Sequence, residues 1–134
     1  MAQINSSLLQ SIMNDYKYAW ENHDVEALAR IFSPDAEYHE KPNSIFYGLD
    51  EIKIYWETLK VTQRHVAFNI KEIKQSDDMN IVIWTASFER SDLNEQWKLD
   101  GIMLLDIKGG KITKLKEYFF SSNQKIIDST CTVL

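Results

Sequence analysis

The sequence predicts an α+β fold in which three helices pack on one face of a mostly antiparallel sheet. Apolar residues recur at helical spacing through the first 60 residues, whereas apolar residues alternate with a period of two from about residue 66 to residue 120. Turn-forming stretches at residues 76–78, 91–94 and 108–111 separate the alternating segments, as in consecutive antiparallel hairpins. Helices followed by strands is the order typical of an α+β architecture.

The helices are predicted from their apolar stripes and from the residues that start and stop them. The first runs from Ser6 to about Asn22, and Asp24 is placed to cap a second, short helix that ends before Pro34. A third helix covers about Asp50–Lys60, with acidic residues in its first turn, where they suit the helix dipole. The apolar face of the second helix comprises Val25, Leu28, Ile31 and Phe32.

The strands are predicted to be apolar on both faces of the sheet. A short strand over Asp35–Glu40 and a loop over Lys41–Tyr47 come before the third helix, and four longer strands follow it. An antiparallel sheet with one solvated face shows one polar face, so the second apolar face needs a cover. We therefore expect a homodimer through the sheet. The outward-facing apolar set is Ile81, Ile83, Ile102 and Leu104.

Length and charge restrict the classes of protein to consider. The 134 residues predict one domain over 1–134, with a core from about residue 6 to residue 121 and a C-terminal tail at 122–134. A net charge of −5 disfavours nucleic acid as a partner. No apolar run approaches the ~20 residues of a membrane span, and no leader peptide is apparent. The one cysteine, Cys131, excludes a disulfide within the chain, and we expect a cytoplasmic protein.

Four ordered segments of the chain resemble the SnoaL-like group of the NTF2-like superfamily. They are AWENHDVEALARIFSPDAEYHEKP, YGLDEIKIYW, IVIWTASFER and WKLDGIMLLDIKGGKITKLKEYFF. The resemblance implies a cystatin-like cone, in which a strongly curved, mixed sheet and three N-terminal helices enclose an apolar cavity, usually in a dimer. The superfamily includes ketosteroid isomerase, scytalone dehydratase, polyketide cyclases and many proteins with no known reaction, so function depends on the site.

A more distant similarity to ketosteroid isomerase indicates candidate catalytic residues. Tyr16 falls at the position of the oxyanion tyrosine of the isomerase, and Glu40 falls at that of its general base. Strand alternation also points Tyr38 and Glu117 into the cavity. An apolar lining raises the pKa of a carboxyl, which makes it a useful general acid or base. Met103 replaces the second oxyanion donor and cannot donate a hydrogen bond, so the isomerase activity itself is not expected.

Large rings are expected to line this cavity. They indicate a small, largely apolar or aromatic ligand in a pocket of roughly 300–1,000 Å³. No cofactor is expected, and no metal either, because adjacent His39 and Glu40 point to opposite faces of a strand and cannot easily share one ion. The predicted ligand-binding set is Trp20, Phe32, Tyr38, Trp56, Trp84, Phe88, Trp97, Met103 and Phe119.

Three functions remain open from the sequence. The first is a small-molecule binding domain, and the second is an enzyme of isomerase, dehydratase or cyclase type that uses Glu40 with Tyr16 or Glu117. The third is an interaction module whose pocket is filled by its own side chains. Each candidate residue could also have a purely structural role. For Tyr16 this role is that of a core tyrosine whose hydroxyl bonds to a buried carboxylate. The alternative structural partners are Lys41 or Arg64 for Glu40, and Tyr38 or Trp97 for Glu117.

Overall fold

The computed structural model describes residues 6–41, 43–76 and 78–126. Its helices are α1 (Ser6–Asn22), a 3-10 turn (Val25–Ala27), α2 (Leu28–Ile31) and α3 (Leu49–Thr62). Its strands are β1 (Phe32–Lys41), β2 (Ser44–Tyr47), β3 (Gln63–Ser76), β4 (Met79–Arg90), β5 (Glu95–Lys108) and β6 (Lys111–Lys125). The predictions that concern Cys131, Pro42 and Asp77 lie outside the described residues.

The sheet is mixed, which confirms the predicted α+β fold. Its described strands follow the order β2-β1-β6-β5-β4-β3. β1 and β6 run parallel, whereas the other neighbouring pairs are antiparallel. The three helices pack against this sheet. Within the described residues, no helix is both long enough and apolar enough to cross a bilayer.

The first strand begins earlier than the sequence predicted. Phe32 does not belong to the second helix but opens β1, with extended backbone angles (φ −107°, ψ 144°) and Ile112 of β6 as its partner. Pro34 follows where pairing with β6 is interrupted, between Phe32 and Glu37. Proline has no N–H and favours an extended residue before it, so it fits this unpaired stretch of strand.

The predicted loop over Lys41–Tyr47 is also wrong, because it contains β2. Phe46 of β2 pairs with Tyr38 of β1, and its ring stacks on Tyr55 of α3 at 4.5 Å between centroids. A strand of four residues is too short to show alternation in the sequence. At the other end of the chain, β6 continues to Lys125, four residues past the predicted core boundary at 121.

Two charged side chains of α1 fix this helix over the sheet. Lys17 Nζ donates to the carbonyl oxygen of Phe68 at 2.6 Å, and Glu21 Oε2 accepts from the backbone N–H of Phe68 at 2.9 Å. Lys17 and Glu21 also pair with each other at 2.7 Å. These bonds tie one turn of α1 to β3, and Tyr16 on the same helix is thereby buried against the inner face of the sheet.

Gly101 leaves room for a large ring close to β5. Trp84 of β4 is its register partner, and a Cβ built on Gly101 would lie 2.7 Å from Trp84 Cζ2 and 2.7 Å from the carbonyl oxygen of Tyr118. The inward-facing residues of β4 around Trp84 are buried, which agrees with the predicted alternation. The opposite face of the sheet exposes Ile102, Tyr118 and Phe120.

Candidate functional site

A cavity of about 350 Å³ lies between helices α1 and α3 and the inner face of the sheet. All four tryptophans of the chain line it. The predicted ligand-binding residues found in the lining are Trp20, Tyr38, Trp56, Trp84, Phe88, Trp97 and Phe119. Phe32 and Met103 are fully buried in the core and are not among the lining residues of this cavity, so their contact with a ligand stays a prediction. The ring of Phe32 instead packs against Tyr16 and Tyr38, with centroids 6.4 and 5.9 Å away.

The parallel strand pair brings the two candidate acids to one wall. Tyr38 of β1 is the register partner of Leu115 of β6, and pairing ends at the next position. Residues two positions further along a regular strand return to the same face, although the pairing of β1 with β2 shifts register between His39 and Lys41. Glu40 and Glu117 occupy those positions, and both line the cavity. Tyr16 reaches the same wall from α1.

Glu117 is a buried acid held by tyrosine hydroxyls. Its exposed fraction is 7%, and among the described residues it is the one polar or charged residue that is classed as buried. The hydroxyl of Tyr16 donates to Glu117 Oε1 at 3.1 Å, and the hydroxyls of Tyr16 and Tyr38 lie 3.3 Å apart. Burial raises the pKa of Glu117 to about 8, and the nearby charge of Glu40 adds to the rise, whereas hydrogen bonds from Tyr16 and Tyr38 oppose it. At neutral pH, Glu117 is therefore mostly protonated.

Glu40 has different surroundings from Glu117. Its side chain is mostly buried, but Lys41 Nζ lies 3.9 Å from Glu40 Oε1. Burial raises the pKa of Glu40, while the charge of Lys41 and a hydrogen bond from Tyr55 lower it. Burial therefore raises the pKa of both acids, but a cation opposes the rise at Glu40, whereas hydroxyl donors oppose it at Glu117.

The tyrosines of this wall are hydrogen-bond donors in their neutral form. Burial raises the pKa of Tyr16 and of Tyr38 well above the ordinary value, and the charge of Glu117 raises both further. Burial likewise raises the pKa of Tyr55, and Glu40 adds to that effect. Each of these hydroxyls keeps its proton across the physiological range, so each can orient a carboxyl or stabilise an oxygen that gains negative charge.

Two of the structural alternatives do not occur. Arg64 pairs with Glu89 at 3.1 Å instead of with Glu40. The indole of Trp97 donates to Glu95 at 3.1 Å instead of holding Glu117. The partners found are Lys41 for Glu40 and, for Glu117, the two tyrosines of the cavity wall. The hydroxyl of Tyr16 does bond to a buried carboxyl, as the structural alternative for this residue requires. Tyr16 also borders the cavity.

Several lining residues were missed by reasoning from the sequence. Tyr55 precedes Trp56 on α3, and only the packing of α3 against β1 shows that it faces Glu40. Arg90 lies over the ring of Trp97 at 5.5 Å, and it comes from the end of β4. No signal in the sequence separates these residues from ordinary surface or core positions. The other missed lining residues are Lys41, Thr58, Leu59, Thr62, Gln63 and Leu99.

Two indole nitrogens in the wall lack a hydrogen-bond partner. Nε1 of Trp56 and Nε1 of Trp84 are buried and unpartnered within the described part of the chain, whereas Trp20 Nε1 donates to Gln63 at 2.8 Å. Buried donors without a partner are uncommon in folded proteins. No group of three or more His, Cys, Asp or Glu that could hold a metal ion occurs in residues 6–41, 43–76 and 78–126.

Comparison with known proteins identifies a domain family and shows the fold. The sequence model of the SnoaL-like domain matches residues 14–115. No curated protein matches the sequence. A type 2 hexachlorocyclohexane dehydrochlorinase (LinA) is 14% identical, with 90% of this chain and 89% of that chain covered at a TM-score of 0.79.

Two further solved structures have a similar fold. A putative scytalone dehydratase from Novosphingobium aromaticivorans is 18% identical, covers 91% of this chain and 87% of its own, and has a TM-score of 0.77. A hypothetical protein with a ketosteroid isomerase-like fold from Catenulispora acidiphila, in complex with trimethylamine, is also 18% identical, with 80% and 83% covered and a TM-score of 0.72. At these identities the similarity shows the fold alone.

Proposed function

The chain belongs to the SnoaL-like domain family, and on that premise we propose that its cavity binds a small, largely apolar or aromatic molecule. The observation that carries this proposal is the cavity of about 350 Å³, which lies within the size range of ligand sites. Four tryptophans and two phenylalanines supply apolar walls that favour a flat ring. A hydrophobic ligand would gain about 25 cal/mol for each Å² of apolar surface removed from water.

The polar groups of the wall favour a ligand with one hydrogen-bond acceptor. Nε1 of Trp56 and of Trp84 are donors without partners, and both rings belong to the lining. A carbonyl or ether oxygen could accept from such a donor after a small shift of the ring. A ligand without an acceptor would leave both nitrogens unpartnered, which is unfavourable for buried donors.

Binding is tested by native mass spectrometry of freshly purified protein and by calorimetric titration with 4-phenylbutan-2-one. This probe joins a phenyl ring to one carbonyl acceptor. Thr58→Trp places a large ring in the lining and should abolish binding, whereas Glu57→Trp, one position away and exposed outside the lining, should not. Equal binding by the wild type and both variants would contradict the proposed location of the ligand.

The second candidate is an enzyme that transfers protons, and the specific observation in its favour is that Glu40 and Glu117 both line the cavity. Glu40 is the candidate base, Tyr16 is the candidate donor to a developing oxyanion, and Glu117 is a candidate general acid. Two of the structural neighbours are, by their names, a putative dehydratase and a dehydrochlorinase. Exchange of the α-protons of 4-phenylbutan-2-one with deuterium oxide tests the base, and Glu40→Gln should abolish this exchange.

The third function, a module with a filled pocket, is less well supported. It requires a cavity too small for a few heavy atoms, and the volume of about 350 Å³ exceeds that. The rings of Trp56 and Trp84 each pack at an angle to that of Trp20 instead of stacking face to face with it.

We also propose that a second copy of the chain covers the outer face of the sheet. A groove there is lined by Ile83, Ile102, Tyr118 and Phe120, and Phe120 is 86% exposed. Exposed apolar patches of this kind mark interaction surfaces. Light scattering should give twice the monomer mass, and Phe120→Lys should give the monomer. We propose further that residues 1–134 form one domain. We also propose a cytoplasmic location, which cell fractionation would test.

A further inference from the structure

The two acids of the cavity have surroundings that suit opposite tasks. Glu117 is held by hydroxyls from α1 and β1 and is closed off from solvent. Glu40 sits beside Lys41, whose positive charge favours a carboxylate. Burial favours the neutral form of both carboxyls, but Glu40 lies beside a cation whereas Glu117 accepts from hydroxyls, so Glu40 is the candidate base and Glu117 the candidate acid.

We propose that the cavity eliminates water from a β-hydroxy carbonyl compound with an apolar or aromatic body, with Glu40 as the base and Glu117 as the acid. This inference rests on the proton-transfer function proposed above and assigns it a substrate class. The Glu40 carboxylate removes a proton from the carbon beside the carbonyl. Glu117 gives its proton to the β-hydroxyl, which leaves as water.

The step balances without any further reagent. The C–H bond and the C–O bond of the substrate break, a C=C bond forms from the C–H electron pair, and the electron pair of the C–O bond leaves with the oxygen. Glu40 ends as the acid and Glu117 as the carboxylate, so one proton must pass from Glu40 to Glu117 before the next turnover. Both acids line the same cavity, so water that enters it after the product leaves can carry this proton.

The chemistry of each group selects this substrate class. A carboxylate is a weak base, so it can remove a carbon-bound proton only where a carbonyl makes that proton acidic. Hydroxide is a poor leaving group, so a hydroxyl leaves readily only when an acid protonates it. An isomerisation can use one carboxyl to remove and return the same proton, and it gives no task to a second acid. Tyr16 and Tyr55, whose hydroxyls keep their protons, are donors in the lining that could polarise the carbonyl oxygen.

A pair of matched probes separates elimination from simple enolisation. 4-Hydroxy-4-phenylbutan-2-one carries the leaving hydroxyl, and its elimination gives a conjugated enone that absorbs in the near ultraviolet. 4-Phenylbutan-2-one lacks the hydroxyl and reports only removal of the α-proton, as deuterium exchange. We expect the wild type to act on both probes, and Glu40→Gln to lose both reactions by a factor of about 10² to 10⁴.

Glu117→Gln is the decisive variant because an amide can donate a hydrogen bond but cannot deliver a proton. We expect it to lose elimination by about 10² to 10⁴ while α-proton exchange stays within about threefold of the wild type. Equal loss of both reactions would assign Glu117 to stabilising the enolate and overturn the inference. Full retention of both would also overturn it. Exchange without elimination in the wild type rejects the substrate class but leaves proton transfer standing, and binding without either reaction leaves only the binding function.

The pH profile of the wild-type protein provides a test that needs no folded variant. Elimination should fall as the pH rises through about 8, where Glu117 loses its proton, whereas α-proton exchange should not fall there. Both rates should fall at acidic pH as Glu40 is protonated. If both rates fell together as the pH rises through about 8, the inference would be overturned. The groups that face the acid pair are Tyr16 of α1, Tyr38 and Lys41 of β1, and Tyr55 of α3.

Discussion

Ionisation of Glu117 should destabilise the folded protein, and this can be measured without any ligand. Burial raises the pKa of Glu117 to about 8 in the folded state, whereas a glutamate in an unfolded chain has a pKa of about 4.3. The folded state therefore holds this proton more tightly than the unfolded state. The stability that the protonated form contributes is complete below about pH 4, and it is lost as the pH rises through about 8.

The size of the effect follows from the distance between the two pKa values. Each pKa unit corresponds to about 1.4 kcal/mol, so the free energy of unfolding should change by about 5 kcal/mol between the fully protonated and the fully ionised protein. Most of the loss, about 4 kcal/mol, falls between pH 5 and pH 9. The exposed fraction of 7% means that solvent screens this carboxyl little. A loss of that size is comparable with the whole stability of many small domains.

Urea denaturation at pH 5, 7 and 9 measures this directly. The free energy of unfolding of the wild type should fall by about 4 kcal/mol over the range, while that of Glu117→Gln should fall much less, because the amide does not titrate. Glu57→Gln makes the same chemical change at an exposed position of α3 and should follow the wild type. A pH dependence that is the same in the wild type and in Glu117→Gln would refute the reasoning.

Three further predictions concern single contacts. Gly101→Ala should destabilise the fold by about 1–3 kcal/mol, seen as a lower Tm, because the new Cβ would meet Trp84 Cζ2 and backbone at 2.7 Å. Tyr55→Phe should raise the pKa of Glu40 in ¹³C NMR titrations, because it removes a hydrogen bond that favours the carboxylate, and an unchanged pKa would show that this bond has no effect. Glu21→Ala should cost about 1–3 kcal/mol in urea denaturation, because it leaves the N–H of Phe68 unpartnered, and a stability equal to the wild type would contradict this.

The fold was largely predictable because its signals are local. Helical spacing defined α1 and α3 to within about two residues, and period-two alternation together with turn residues defined the four long strands. The errors occurred where the local signal was short or mixed. β2 has only four residues, and Phe32 continues the apolar spacing of α2 although Pro34 makes the backbone extended.

The wall that carries the two acids was only partly predictable, because it depends on contacts between distant parts of the chain. The inward direction of Glu117 follows from alternation along one strand, but its proximity to Glu40 requires the parallel pairing of β1 with β6, about 75 residues away. The distances from Tyr16 and Tyr38 to Glu117 depend in turn on how α1 docks on the sheet. Met103 and Phe32 show the same limit, since both lie in the core and an inward direction does not distinguish a cavity wall from the core.

The chemical nature of residue 117 argues for a functional role in preference to a purely structural one. Glutamine would give Tyr16 and Tyr38 an oxygen acceptor of similar reach, and it would add no buried charge at alkaline pH. A carboxyl at this position costs stability as the pH rises, and it differs from the amide mainly in having a proton that it can release. That proton lies in the wall of a cavity beside a second carboxyl. The difference in the free energy of unfolding between Glu117→Gln and the wild type at pH 9 therefore measures the stability lost by having a carboxyl with a transferable proton at this position.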